Sequence, residues 1–128
     1  MENKVTDSAN ILLVEDDHLL RNAFRLLLED RGYRIVEAGL ASEAIEMAKA
    51  ATPDLILLDL GLPDAHGLDV ARELRRHEAT RIVPIVALTG RVGSAEKEAC
   101  LRAGCTSYLT KPIEPKTLFT HIAEFLAD

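Results

Sequence analysis

The sequence predicts an α/β domain: five strands alternating with five helices, the strands forming a parallel sheet covered on both faces. Three observations carry this. Ile11-Leu12-Leu13-Val14 and Leu55-Ile56-Leu57-Leu58 are short, unbroken apolar runs, the pattern of strands buried on both faces. The segments between such runs have apolar residues at helical spacing, and strict strand–helix alternation implies parallel pairing. Polar residues collect where the strands end, at Glu15 and Asp16, Asp59, Thr89 and Lys111. That is the edge where open parallel sheets bind ligands.

The elements follow in order. Residues 1–9 read as a polar arm and residues 10–128 as one domain. Ile11 to Val14 is the first strand. Asp17 can cap the helix that follows, in which Leu20, Ala23, Phe24, Leu27 and Leu28 recur at helical spacing until Gly32 stops it. Tyr33 to Ala38 mixes apolar with charged residues and reads as an exposed edge strand. Glu43 to Ala51 is the second helix and Leu55 to Leu58 the third strand. A loop from Gly61 to Gly67 leads to a third helix, Leu68 to His77. Ile82 to Leu88 is the fourth strand, with Pro84 tolerable only near its start. Ser94 is expected to cap a fourth helix ending at Gly104. Thr106 to Thr110 is the fifth strand, and a fifth helix runs from Glu114 or Pro115 to Ala127.

At 128 residues and 48% hydrophobic composition the chain can bury a real core. Aromatics are only 4%, so that core must be mostly Leu, Ile, Val and Ala. A formal charge of −6 and a pI near 5.2 argue against nucleic-acid binding through a basic face. No apolar stretch approaches the roughly 20 residues of a membrane helix, and the polar Met1–Asn10 segment has no secretory pattern. Cys100 and Cys105 are too few for a disulfide framework and lack zinc spacing. They read as small buried residues of a protein in the reducing cytoplasm.

The strand-end residues suggest a chemistry. If the strand order is 2-1-3-4-5, the first and third strands flank the topological switch point, and Glu15, Asp16 and Asp59 meet there. Carboxylates sharing a pocket repel one another. A divalent cation resolves this, and an all-oxygen donor set suits Mg²⁺. The matching reaction is phosphoryl transfer onto Asp59, giving an acyl phosphate. Lys111 would then be the fixed counter-charge to the phosphoryl oxygens and Thr89 a hydroxyl donor.

At this point the residues resemble a known family. Leu12-Leu13-Val14-Glu15-Asp16-Asp17, Leu57-Leu58-Asp59 through Leu62-Pro63-Asp64 to His66-Gly67, Ala87-Leu88-Thr89-Gly90, and Ala103-Gly104-Cys105 through Tyr108 to Lys111-Pro112 stand in the order and setting of a response regulator receiver domain. The resemblance covers about residues 10–127. It implies a flavodoxin-like doubly wound sheet of order 2-1-3-4-5. It implies that Asp59 accepts a phosphoryl group from a histidine kinase or a histidine phosphotransfer protein. Asp16 then ligates Mg²⁺ directly, Glu15 through a bound water, and Asp59 and the Gly61 carbonyl complete the protein ligands; Mn²⁺ can substitute. Thr89 and Lys111 contact the phosphoryl group, and Tyr108 is the switch aromatic. The Lys111–Pro112 bond is expected to be cis. Gly61 and Arg91 stand at positions that vary in the family and tune dephosphorylation, while small Gly90 leaves room for the phosphoryl group. The surface of the fourth helix, fifth strand and fifth helix is the expected output face, for an unknown partner or a second copy.

Other readings stand beside these. An aspartate-nucleophile phosphatase would usually carry a second acid two residues after the nucleophile, where this chain has Gly61. A receiver-like scaffold that is never phosphorylated would not need the complete acid set. Asp64 reads as a turn residue, the four histidines as surface residues, and Arg72, Arg75 and Arg76 as a solvated face. The Arg21/Asn22 region could meet a kinase. A chain ending at Asp128 has no room for an output domain, so it is expected to act by contact, either as a stand-alone regulator or as the receiver of a hybrid sensor kinase.

Overall fold

The computed structural model describes residues 9–90 and 93–126. The elements are β1 (Asn10–Val14), α1 (His18–Asp30), β2 (Arg34–Ala38), α2 (Ala41–Ala50), β3 (Leu55–Asp59), α3 (Gly67–Arg76), β4 (Ile85–Thr89), α4 (Ser94–Ala103), β5 (Ser107–Thr110) and α5 (Pro115–Leu126). A single 3₁₀ turn, Glu78–Thr80, joins α3 to β4 and had no signal in the sequence. The five strands are all parallel, in the order β2-β1-β3-β4-β5. This is the doubly wound order expected from the resemblance.

The two-residue period of a strand sorts the core into two layers. Leu12, Val14, Ile56, Leu58, Ile85 and Ala87 pack with buried residues of α2, α3 and α4. Ile11, Leu13, Leu55, Leu57, Val86 and Leu88 pack on the other face with Phe24 and Leu28 of α1 and Leu118 and Ile122 of α5. β3 is buried along its whole length, as a strand in the middle of a two-faced sheet must be. β2, at the edge, leaves Val36 43% exposed.

Several boundaries differ from expectation. The fourth strand starts at Ile85, not Ile82: Pro84 supplies no N–H to the ladder, and Ile82 is 82% exposed. Ser94 is the first residue of α4 and not its cap, a position held by Gly93. α2 begins at Ala41, two residues before Glu43, because an acid from elsewhere in the chain caps it. Gly104 ends α4 at φ 108°, a conformation that glycine adopts without strain. Ala9 is already buried, and its carbonyl accepts from Arg34 N at 2.9 Å. The remainder of the expected arm, residues 1–8, and the expected helix end at Ala127 lie outside the described residues.

Candidate functional site

The alternation that builds the core also builds the site. Leu13, Leu57 and Leu109 all belong to the layer facing α1 and α5. Two residues further along come Glu15, Asp59 and Lys111. Pairing continues past the strand ends: Glu15 N donates to Ala38 O at 3.0 Å, Leu60 N to Leu88 O at 3.0 Å and Lys111 N to Thr89 O at 2.7 Å. The three side chains therefore converge. Lys111 Nζ lies 2.8 Å from Asp59 Oδ1 and 3.6 Å from Glu15 Oε1. Together with Asp16 and Thr89 they line an open cleft of about 990 Å³.

The electrostatics of this cluster are unbalanced. Glu15 is 1% exposed and Asp59 4%. Burial, and next the charge of Asp59, push the Glu15 carboxyl up to about 7, although the Asp17 amide and Lys111 pull the other way. Burial also works against the Lys111 ammonium. The hydrogen bond and charge of Asp59, then the charge of Glu15, outweigh it and lift Lys111 above the ordinary lysine value. Glu15 Oε2 accepts from Asp17 N at 3.2 Å, but Glu15 Oε1 is buried with no hydrogen-bond partner. One oxygen each of Glu15, Asp16 and Asp59 lie within 4.8 Å of one another. Three clustered hard oxygens, one of them buried and unsatisfied, fit a small divalent cation such as Mg²⁺.

The remaining candidates fall around this centre. Asp17 caps α1, its Oδ1 accepting from Leu19 N at 3.0 Å and Leu20 N at 3.2 Å, as the sequence suggested. Thr89 ends β4 and is buried. Tyr108 pairs with Ala87 and Thr110 with Thr89. Tyr108 is half-buried against the α2–α4 layer, the side of the sheet on which Ala87 lies, and alternation puts Thr89 on that side too. Gly61 is exposed, and its N–H reaches Asp59 Oδ1 at 3.3 Å. A Cβ at Gly61 or Gly90 would enter open space. The Lys111–Pro112 bond is cis. Arg91 lies outside the described residues.

The structure gives several of these residues partners that the sequence does not suggest. Asp64 does more than turn the chain: Oδ1 accepts from Ala41 N at 2.7 Å and Oδ2 from Ser42 N at 3.2 Å, and the Ala41 amide first of all holds its carboxyl below the usual range. Arg21 is committed within the protein, bonding the Glu15 carbonyl at 2.9 Å and Glu37 at 2.9 Å. His66 lines the cleft and caps α3, Nδ1 accepting from Leu68 N at 3.1 Å. Arg75 is no part of a solvated face; it bonds the carbonyls of Gly104, Thr80 and Arg81. Only the cap signal of a short polar residue before a helix could have pointed to any of these, and it points along the chain, not across it.

Parallel α/β domains of this strand order, with an acid pair facing a strand-end aspartate and a lysine, make up the class of signalling phosphoacceptors. The chain belongs to the response regulator receiver domain family, whose match spans residues 11–123. It is 34% identical over 119 residues to the polar-differentiation response regulator DivK of Brucella ovis, covering 93% of this chain and 97% of that protein. Among solved structures it is similar to a putative response regulator from Chloroflexus aurantiacus, with TM-score 0.89, 30% identity and coverage of 94% and 99%. It is also similar to the receiver domain of the sensor histidine kinase PA1611 from Pseudomonas aeruginosa, a structure with a magnesium ion coordinated in its active-site cleft. There the TM-score is 0.87, the identity 33% and the coverage 94% and 99%. Among the described residues no helix is long and apolar enough to cross a membrane.

Proposed function

We propose that Asp59 accepts a phosphoryl group from a phosphohistidine of a histidine kinase or histidine phosphotransfer protein, in a reaction that depends on Mg²⁺ or Mn²⁺. The observation that carries this is the 2.8 Å contact of Lys111 Nζ with Asp59 Oδ1 beside Glu15 Oε1, which is buried with no hydrogen bond and sits 3.6 Å from the same lysine. An Asp59 carboxylate oxygen attacks phosphorus. The new O–P bond forms as the N–P bond to the donor imidazole breaks, and the ring nitrogen keeps the electron pair. Glu15, Asp16, Asp59 and the Gly61 carbonyl hold the cation, which when bound neutralises charge on the phosphoryl oxygens and the acids. Lys111 leaves its bond to Asp59 for a phosphoryl oxygen, and the Thr89 hydroxyl donates to another. Gly61, two residues after Asp59, and Arg91, two residues after Thr89 in the sequence, set how fast water removes the group.

The phosphoryl group adds about −1.5 to −2 charges at neutral pH. Thr89 moving toward it vacates space on the α2–α4 side of the sheet, and Tyr108, half-buried on that side, turns in. This reshapes the α4–β5–α5 surface, which binds an output protein or a second copy. A typical coupling of this kind is about 1–3 kcal/mol. The protein works in the cytoplasm without contacting nucleic acid or membrane, either alone or as the receiver of a hybrid sensor kinase. The test is incubation with acetyl phosphate and Mg²⁺ followed by intact-mass measurement. One added phosphoryl group is expected, absent without metal and absent in Asp59→Asn. Labelling that survives Asp59→Asn overturns the assignment.

A further inference from the structure

We infer that the β2–α2 corner, which carries no reactive group, positions the cation-binding groups, with Arg21 and Asp64 as the two ties that fasten both ligand-bearing loops to it. The inference rests on the cation reading above and deepens it. Two loops supply the proposed ligands. The one after β1 holds Glu15 and Asp16; the one after β3 holds Gly61. Both are anchored at residues 37–42.

The first tie grips the backbone of Glu15 from both sides. Its N–H donates to Ala38 O at 3.0 Å, and its carbonyl accepts from Arg21 Nη1 at 2.9 Å. Arg21 rises from the first turn of α1, and its Nε bonds Glu37 Oε1 at 2.9 Å. Arg25 holds the second oxygen of Glu37 at 3.0 Å, so the anchor is itself fixed. The guanidinium lies against the corner: a Cβ on Gly39 would fall 2.7 Å from Nη1. The second tie crosses 23 residues of sequence. Asp64 leaves the β3–α3 loop and accepts from the amides of Ala41 and Ser42, the first two of α2. Leu40, the residue that should cap α2, has no side-chain oxygen to offer. A carboxylate at a helix N-terminus is favoured by both the free amides and the helix dipole.

These ties matter because of what they oppose. Glu15 and Asp16 on the first loop must be held with their oxygens within 4.8 Å of Asp59 at the end of β3 before any cation arrives, and like charges push that loop away from the strand end. Fastening both loops to one corner keeps them in register. Groups that orient metal ligands from behind usually change affinity by about 10–100-fold when removed.

The experiment is calorimetric titration of the full chain with Mg²⁺, together with thermal melts in EDTA. Arg21→Ala and Asp64→Ala should each weaken Mg²⁺ binding about tenfold. Asp64→Asn should recover most of the loss, because its Oδ1 can still accept from Ala41 N. Arg75→Ala breaks a comparable set of carbonyl bonds at the opposite edge of the sheet, so it should lower the melting temperature and leave Mg²⁺ affinity at the wild-type value. Wild-type affinity in Asp64→Ala, or equal loss in Arg75→Ala, overturns the inference while the cation reading stands. A wild-type chain that binds no Mg²⁺ overturns both. If Arg21→Ala fails to fold, the Asp64 pair decides.

Discussion

At the amino-terminal edge of the sheet, Arg75 reaches across from α3 to the carbonyls of Gly104, Thr80 and Arg81, Thr106 Oγ1 accepts from Ile85 N at 3.0 Å, and Asp54 Oδ2 accepts from Asn10 N at 2.7 Å. At the carboxyl-terminal edge, Glu15 keeps a buried oxygen with no hydrogen bond and shares one lysine with Asp59. The same five strands run between these edges. One edge spends its polar groups on closing loops. The other holds like charges together at a cost to stability, which is how strain of this kind marks a binding site. Removing a polar group should therefore have opposite signs at the two edges.

The largest effect is expected at the amino-terminal edge. Arg75→Ala leaves carbonyls at the ends of α4 and the 3₁₀ turn without their donor, and should destabilise the fold by about 2–3 kcal/mol in chemical denaturation. At the carboxyl-terminal edge Glu15→Gln removes a buried charge that repels Asp59. In metal-free buffer near pH 8 it should stabilise by about 1–2 kcal/mol, after discounting for water in the cleft. The same variant should lose Mg²⁺ binding. A Glu15→Gln protein that melts below wild type without metal would erase the contrast between the edges.

A smaller, graded effect should appear with pH. The Glu15 carboxyl is raised in the folded protein from 4.5 to about 7, so the native state binds that proton more tightly than the unfolded chain. Its contribution to stability is complete below 4.5 and is lost as pH rises through about 7. The metal-free melting temperature should fall over that window, by roughly 3–6 °C. Millimolar Mg²⁺ should restore it at the alkaline end, and Glu15→Gln should flatten the profile. A wild-type profile as flat as that of Glu15→Gln would place the unfavourable charge elsewhere.

How much of this was legible depended on whether the signal ran along the chain. The sheet was readable because Leu55–Leu58 and Ile11–Val14 are unbroken apolar runs, and the acid cluster because Glu15 and Asp59 each come straight after or at the end of such a run. The cap by Asp17 was readable for the same reason: its target amides are two and three residues away. Asp64 was not, since its target lies 23 residues back, and Pro63 before it already explained a turn. Arg75 looked like one of three exposed arginines because helical periodicity alone does not say that α4 ends beside it. Hydropathy places Ile82 in β4, yet Pro84 has no N–H to donate and joins the sheet only through its carbonyl, which accepts from Ile56 N at 2.9 Å, so the strand proper starts at Ile85.

The smallest effect expected is a near absence of reaction, and it tests how tightly the amino-terminal edge is closed. Cys100 and Cys105 flank the end of α4, with Cys105 N donating to Cys100 O at 3.0 Å. Both are buried and unbridged. Burial, followed by the neighbouring Cys100, pushes the Cys105 thiol up to about 12 despite the nearby Arg75, and burial raises Cys100 as well. Alkylation needs the thiolate, so a buried Cys105 whose thiol is raised this far is nearly unreactive at pH 8 in the closed state. Labelling by iodoacetamide should then proceed through opening of this edge, at a rate that tracks the open population. Arg75→Ala holds the same two cysteines behind a weaker closure. If it costs about 2.7 kcal/mol, labelling of Cys105 should accelerate about a hundredfold, while Glu15→Gln should leave it unchanged or slower. Rapid labelling of the wild-type protein, or an unchanged rate in Arg75→Ala, would mean that Arg75 does not hold this edge shut.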